Sequence, residues 1–526
     1  MRLSTLLRLV CLLAVAAVAS AQPTTSQITG VITDNSDAVI VDAKVTATNV
    51  DTGITYRAAS NETGLYTIPL LPPGHYRMQV QKDGFRPISR SGIILQVNSS
   101  ARIDFRLDVG AVYETVNVEA AAPLVDTTSG TVGQVVDNKK VVQLPLNGRN
   151  IYTLTLLVPG AAPDHSGRTR FKGTRARSNE YLVDGVTQVV PETRADPILP
   201  PPVDSVLEFK VVTSSYSAEY GNASGGIVNV ATRSGTNEFR GTFWEFLRND
   251  ALNTRNFFAP PGQRRPVLRY NQFGGAGGGP VLLPGLYKGR NRTFFFADYE
   301  GVRLREQRVF NVSVPTAAMR GGDFSAFYGS ATFADPQGNS IRQGQIFDPQ
   351  STRMVNGQIV RDPFPNNQIP RARFDAAATR ILSLWPDPTN AALNQNFLRA
   401  TSTGRNDDRW DARLDHEINS GNRVFGRYSD FRRDNLPQFA FPGAAGHYDL
   451  LQNKQRSLTS SWISTLKPTL LNELRFGLLH NRIDRRPYRH QTNGASELGI
   501  QGITTNSGLP FCPASAGNGE SVPPLR

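Results

Sequence analysis

Cysteine, histidine and methionine are scarce in this chain of 526 residues, which has two Cys, six His and four Met. Cys11 falls in the first twenty residues, so Cys512 would be the lone cysteine of an exported chain and no disulfide framework follows. The scattered histidines suggest no metal cluster and no nucleophile–base arrangement, and P-loop and G-x-S-x-G motifs are missing. We therefore expect no enzyme, and predict no catalytic, cofactor-binding or metal-binding residue.

Long hydrophobic runs are also missing beyond residue 21. No later segment approaches the roughly eighteen apolar residues of a membrane-spanning helix, and no helical periodicity is sustained. Charged residues make up only 19% of the chain, which contains 46 Gly and 35 Pro; this composition suits strands and long loops. The chain is therefore predicted to be mainly β, and it could span a membrane only as a closed barrel.

Residues 1–21 have the pattern of a secretory signal peptide. Arg2 and Arg8 give a positive start, residues 9–18 are apolar, and small residues precede a predicted cleavage between Ala21 and Gln22. Because the apolar run is too short to span a membrane, we expect it to be removed during export.

Residues 23–109 contain short alternating strands broken about every 8–12 residues by Gly, Pro, Asn or Asp, which predicts an antiparallel sandwich. In residues 43–49, for example, Val45 and Ala47 alternate with polar side chains. The motifs T-G, G-x-Y and L-x-P-G-x-Y, in that order, resemble the carboxypeptidase-regulatory-like domain, a prealbumin-like β-sandwich. The resemblance implies no activity. We expect a spacer or docking module in the periplasm, with polysaccharide binding as an alternative.

The character of the chain changes after residue 235. Before it, two β-branched runs at 208–213 and 226–232 flank a turn rich in small residues. The glycines of this turn are expected to adopt positive φ or to allow close backbone approach. Beyond it lie long segments rich in Phe, Trp, Tyr and Arg.

The pattern A-E-Y-G-x-x-x-G-G-x-V-N-x-x-T-R-x-G, residues 218–235, resembles the end of the plug domain of TonB-dependent outer-membrane receptors. Residues 236–258 resemble the first barrel strand of the Oar-like branch of that family. Further pieces that resemble this branch are 274–280, 291–301, 315–325 and 411–428.

The resemblance implies an α+β plug domain over 123–235. Within it, an Asp-Gly pair ends a strand at 179–183 and favours a type I′ turn. The plug-motif residues are Asp184, Gly185, Tyr220, Gly221, Gly225 and Gly226.

The linker 110–122 contains a short run in which apolar and polar residues alternate. It resembles a TonB box, the segment that a TonB-like periplasmic energy-coupling protein captures as an added strand. The candidate partner-binding residues are Glu114, Thr115, Val116, Asn117 and Val118. The alternative is that this run is the last strand of the preceding sandwich.

Residues 236–526 are predicted to form part of a transmembrane antiparallel β-barrel. Leu474, Phe476 and Leu478 alternate with polar or small neighbours, as do Trp410 and Leu414, which suits lipid on one side and a polar lumen on the other. A loop-rich insertion is predicted over 315–405, with a short helix at 376–385. About eight candidate strands are visible against about 22 in a plugged transporter, so we expect an N-terminal fragment whose barrel is incomplete.

These features predict an outer-membrane receptor or transporter that is gated by its plug and takes up an unidentified extracellular ligand, a siderophore, an oligosaccharide or a peptide. The predicted partners are the coupling protein and outer-membrane lipid. The net charge of +13 forms no compact basic–aromatic cluster, so no nucleic acid is expected. The alternatives are a non-transporting adhesion or surface-organisation protein, or polysaccharide binding by the sandwich.

Overall fold

The computed structural model of the chain describes residues 25–110, 116–119, 130–190, 197, 200–217, 220–221, 223–254, 265–335, 337–436, 440–441, 449–467, 470–487 and 494–500. The predicted signal peptide with its cleavage between Ala21 and Gln22, the residues Glu114 and Thr115, and Cys512 lie outside these ranges.

The first unit is a β-sandwich whose two sheets enclose one core. Its strands are β1 (Ser26–Asp34), β2 (Lys44–Asn49), β3 (Thr55–Ala59), β4 (Leu65–Leu71), β5 (Gly74–Gln81), β6 (Ile88–Leu95), β7 (Ser100–Arg102), β8 (Phe105–Leu107) and β9 (Val116–Glu119). One sheet has the order β4-β1-β7, with β8 also pairing with β1, and the other has the order β3-β2-β5-β6-β9. Val45 and Ala47 are buried between them, as their alternation predicts.

The second unit, residues 130–235, is called the middle domain below. Its strands are β10 (Val132–Asp137), β11 (Ala161–Pro163), β12 (Thr169–Phe171), β13 (Glu180–Val183), β14 (Val186–Thr187), β15 (Val206–Ser214) and β16 (Ile227–Thr232). The helix α1 (Asn138–Gln143) and 3₁₀ turns at Asn147–Arg149, Ile151–Leu157, Ala176–Ser178 and Val203–Ser205 complete it. The main sheet has the order β10-β15-β16-β13-β14. Phe209, Val211 and Val230 lie in its core, because both predicted β-branched runs form central strands.

The third unit is a seven-stranded antiparallel sheet, called the long sheet, in which sequential strands are neighbours. It consists of β17 (Arg240–Asn249), β18 (Leu268–Pro280), β21 (Thr293–Val312), β26 (Phe397–Asn419), β27 (Asn422–Leu436), β28 (Asp449–Lys467) and β29 (Leu470–Pro487). Short hairpins connect some of them: β19 (Leu282–Leu283) with β20 (Tyr287–Lys288), β22 (Thr332–Ala334) with β23 (Ser340–Arg342), and β24 (Arg353–Val355) with β25 (Gln358–Val360).

Helical segments of this unit are short. They are α2 (Ala317–Arg320), α3 (Ala376–Leu384) and α4 (Gly494–Glu497), with 3₁₀ turns at Asp250–Leu252, Ser325–Phe327, Pro349–Ser351, Pro365–Asn367 and Arg371–Arg373. The helix α3 confirms the prediction at 376–385. Within the described ranges, no helix has the length and apolar character needed to cross a membrane.

The long sheet has one apolar and one polar face. Leu474, Phe476 and Leu478 are each more than half exposed on one side, whereas Arg475 between them is buried on the other. On β26 the exposed Trp410 likewise alternates with the buried Asp411. The predicted two-sided alternation is therefore confirmed.

The two ends of the long sheet differ in the length of their connections. At one end β18 joins β21 through residues 281–292, β26 joins β27 through 420–421, and β28 joins β29 through 468–469. At the other end 84 residues, 313–396, separate β21 from β26. The prediction that this insertion extends to 405 is wrong, because β21 continues to Val312 and pairs there with Phe397, the first residue of β26.

Candidate functional site

The middle domain meets the polar face of the long sheet at a tight turn between β13 and β14. Asp184 and Gly185 form this turn with φ angles of 48° and 77°, both positive as a type I′ turn requires. The Asp184 carboxylate accepts hydrogen bonds from the backbone N–H of Thr232, at 3.0 Å, and from its hydroxyl, at 2.7 Å. The turn is thereby fixed to the end of β16.

The same carboxylate binds two guanidinium groups of the long sheet. Arg413 of β26 and Arg427 of β27 are directly opposite in the ladder, and each places a nitrogen 3.3 Å from an Asp184 oxygen. Two like charges at such a position repel each other, and the Asp184 carboxylate lies against both. Burial acts to raise the pKa of Asp184, but the two guanidinium groups and the Thr232 hydrogen bonds hold it below its ordinary value.

Further carboxylates extend this cluster along the sheet. Arg413 also binds Asp415 at 2.8 Å, and Arg427 also binds Asp411 at 2.9 Å. The order of charges is therefore Asp415, Arg413, Asp184, Arg427, Asp411, with the middle member supplied by the middle domain. Alternating signs let these charges stay out of water.

Arg149 makes a second attachment between the two units. It follows Gly148 in the 3₁₀ turn Asn147–Arg149, and its Nε lies 3.2 Å from a carboxylate oxygen of Glu300 on β21. Its guanidinium also pairs with Asp204 of the middle domain and lies 5.0 Å from the centre of the Trp244 ring. Arg149 therefore contacts the long sheet through both charge and aromatic surface.

The predicted plug-motif glycines before β16 differ in the space around them. A Cβ at Gly225 would lie 2.4 Å from the Asn179 side-chain oxygen, and one at Gly226 would lie 2.3 Å from the Phe171 ring. Close approach therefore requires glycine at both positions. A Cβ at Gly221 would meet nothing within 4 Å, so close approach does not require glycine at this position. Tyr220 is buried, and its hydroxyl accepts a hydrogen bond from the Asn98 side chain of the sandwich.

A cavity of about 200 Å³ lies where the three units meet. Tyr56 and Pro73 of the sandwich, Thr232 of the middle domain, and Arg413 and Phe425 of the long sheet line it. The sandwich thus closes the space beneath the Asp184 cluster.

The candidate coupling segment lies partly in the sandwich. Val116, Asn117 and Val118 belong to β9, which pairs in parallel with β6 at the edge of its sheet. This backbone position corresponds to the alternative considered above, a last strand of the sandwich. It also leaves the other edge of β9 without a neighbouring strand among the described residues.

Among the described residues, no group of three or more His, Cys, Asp or Glu side chains could hold a metal ion. His75 lies 3.1 Å from an Asp51 carboxylate oxygen. This histidine therefore has a structural partner.

Sequence reasoning missed Arg149, Arg413 and Arg427 as site residues. The alternation along β26 placed Arg413 on a polar face, but it gave no indication that Asp184 would lie against it. The Asp-Gly signal predicted a turn only, since turn chemistry does not reveal a distant partner.

Comparison with known proteins agrees with this architecture. Residues 231–522 match the family model described as an outer membrane beta barrel domain, and residues 27–108 match the carboxypeptidase regulatory-like domain. Over 300 residues the chain is 29% identical to the TonB-dependent transporter Oar of Myxococcus xanthus, covering 54% of this chain and 27% of the relative. The chain thus spans about a quarter of the length of that relative.

Two solved structures show partial similarity to this chain. A mutant of the ferric enterobactin receptor from Pseudomonas aeruginosa, in complex with enterobactin, is 12% identical with a TM-score of 0.38, covering 68% of this chain and 42% of that one. The outer membrane transporter YddB from Escherichia coli is 12% identical with a TM-score of 0.37, covering 68% and 39%. From the family-model match over more than half of its length, the chain belongs to the outer membrane β-barrel family and is a protein of the outer membrane.

Proposed function

We propose that this chain forms the gated part of a TonB-dependent receptor or transporter, in which the middle domain is the plug. The observation that carries the proposal is the insertion of Asp184 between Arg413 and Arg427. A plug must stay on the lumen side of the barrel wall and must still be able to move. Ion pairs suit this role, because separating them inside the interface would leave buried charges unpaired, whereas water can solvate both charges once the interface opens.

The orientation follows from the connections of the long sheet. Outer-membrane barrels have short turns on the periplasmic side and longer loops outside. The sandwich contacts the short-turn end, since Asn237, just before β17, donates to the Thr52 carbonyl at 2.7 Å. The sandwich and β9 therefore face the periplasm, where a coupling protein would act, and the insertion 313–396 faces outward.

The proposed cycle has three steps. An extracellular ligand binds on the outer side of the plug, a TonB-like protein captures the segment that includes Val116, and the pull displaces the middle domain from the Asp184 cluster. The ligand is a siderophore, an oligosaccharide or a peptide. The protein itself catalyses no reaction in this cycle.

Conductance across a planar lipid bilayer tests the plug assignment. The whole protein should be closed, and deletion of residues 130–232 should open a stable conductance, because the lumen would lose its occupant. As a control, deletion of the sandwich, residues 25–110, leaves the middle domain in the chain to occupy the lumen, so the conductance without denaturant should be far smaller. A closed pore after deletion of 130–232 would contradict the proposal and favour the non-transporting, adhesive alternative.

A further inference from the structure

The loop between β6 and β7, residues 96–99, joins the sandwich to the middle domain through buried polar contacts. The Val97 N–H donates to the Glu208 carboxylate, and the Lys210 ammonium donates to the Asn98 carbonyl at 2.7 Å. The Asn98 side chain donates to the Tyr220 hydroxyl. We call these three contacts the latch.

The latch occupies one face of β15. Glu208 and Lys210 lie two residues apart and point to the same side, whereas Phe209 and Val211 point into the middle-domain core. Glu208, Lys210 and Tyr220 are each less than 10% exposed, and Val97 is fully buried. If the sandwich left, these polar groups would lose their hydrogen-bond partners and would be hydrated instead. Their burial therefore depends on the docking of the sandwich.

The sandwich is held to the barrel rim as well. Arg423 of β27 donates to the Tyr56 hydroxyl at 2.9 Å and to the Leu70 carbonyl at 2.7 Å. On the other side, the Asn237 N–H donates to the Asp51 carbonyl at 3.0 Å. The sandwich therefore bridges the middle domain and the rim, which favours the docking module over the spacer, the two roles expected from the sequence.

We propose that the N-terminal sandwich, joined to the middle domain by the latch on the periplasmic side, keeps the middle domain seated against the long sheet and must detach before the middle domain can move. The inference rests on the proposed plug function and adds its regulation. The strand β6 connects the two parts: its first half pairs with β9, the candidate coupling segment, and its end leads into residues 96–99. A pull on β9 would therefore reach the latch before it reached the Asp184 cluster.

Docking should depend on pH through Glu208. Burial, together with the charge of Asp137 on β10, raises the pKa of this carboxyl to about 7, although the Val97 N–H and Lys210 oppose the rise. A carboxyl whose pKa is raised on docking favours the docked state at low pH. Docking should thus be tightest below about pH 4.3, the usual Glu value, and weaken as pH rises toward 7.

Distances between two spin labels test docking directly. In a Cys512→Ser background of the whole protein, cysteines that carry the labels replace the exposed Arg102 of the sandwich and Ser166 of the middle domain. A narrow distance distribution at pH 5 that broadens at pH 8 is expected. Lys210→Met should broaden it at both values, because the Asn98 carbonyl loses its donor. Glu208→Gln should abolish the pH dependence, since the amide oxygen can still accept from Val97.

The matched control is Tyr66→Phe. Its hydroxyl donates within the sandwich to the Ile103 carbonyl at 2.6 Å, so its loss removes a buried hydrogen bond without touching the latch. Tyr66→Phe should therefore give the wild-type distribution, while Tyr220→Phe should broaden it.

The second measurement is the urea concentration at which a conductance opens in a planar bilayer. Lys210→Met should lower this concentration and Tyr66→Phe should not. Two results would contradict the proposal. One is a broad distance distribution of the wild type at both pH values, and the other is undocking that leaves the urea concentration for channel opening unchanged. Failure of the plug assignment is a separate outcome, recognised by a pore that stays closed when residues 130–232 are deleted.

Discussion

The carboxylate of Asp184 and the guanidinium of Arg427 lie 3.3 Å apart although 243 positions separate them in the chain, and their side chains are only 3% and 4% exposed. Neither charge has access to bulk water, so each depends on its partners for stabilisation. Removal of one charge from such a pair leaves the other buried and uncompensated. This contact is one of several that join the middle domain to the long sheet.

Replacement of Asp184 by Asn should loosen the middle domain from the long sheet. The amide keeps the shape of the side chain but not its charge, so the expected loss in free energy of unfolding of the middle domain is about 3 kcal/mol, the lower end for a broken buried pair, because Asp411 and Asp415 remain. Urea unfolding followed by hydrogen exchange at residues 180–187 measures it.

The control for this change is Asp104→Asn. Asp104 pairs with Arg102 at 3.1 Å on the surface of the sandwich, where both side chains are more than half exposed. Exposed pairs contribute at most about 1 kcal/mol. Equal losses from Asp184→Asn and Asp104→Asn would show that the Asp184 cluster does not hold the middle domain.

Acid should weaken the same interface. Because the pKa of Asp184 is lowered in the folded protein, its carboxylate adds stability that is complete above about pH 3.9, the usual Asp value, and is lost as pH falls through the lowered pKa. Unfolding free energies of the middle domain between pH 5 and pH 2 should therefore fall more steeply in the wild type than in Asp184→Asn. Parallel curves for the two proteins would mean that other carboxylates determine the loss of stability at low pH.

Some of this architecture could be predicted from local pattern. The two faces of the long sheet follow from alternation along single strands, as at Leu474 and Arg475. The turn at Asp184 follows from the need for positive φ at two successive residues. Both features are determined by neighbours in sequence.

The contacts between units could not be predicted in this way. Arg427 is one of many arginines in polar rows, and nothing near it in sequence shows which of them meets Asp184. The loop at Val97 is similarly unremarkable in sequence, because its role depends on how the sandwich packs on β15. For β9, the pattern around Val116 suits both an exposed peptide and an edge strand, so sequence left both possibilities open.

Gly226→Ala should destabilise the middle domain. The added Cβ would lie 2.3 Å from the Phe171 ring, which is buried in the core, so ring and strand must shift at a cost of about 1–3 kcal/mol. Thermal unfolding of the whole protein, followed by near-UV circular dichroism, measures the loss. Gly221→Ala is the matched control, since its Cβ has open space; a larger loss there than at Gly226 would contradict the packing argument.

Under the proposed coupling, Val116→Pro should prevent capture of β9 by the periplasmic coupling protein. Proline removes the backbone N–H that an added strand would donate, while Val116→Ala keeps it. Because β9 is an edge strand, the sandwich should tolerate either change. An unchanged midpoint of thermal unfolding would verify this. In cells, a photoreactive group at Asn117 should cross-link to the coupling protein in the Ala variant and not in the Pro variant. Cross-linking that survives the proline would place the captured segment elsewhere in the chain, and loss of cross-linking with undiminished ligand uptake would exclude energised transport through this strand.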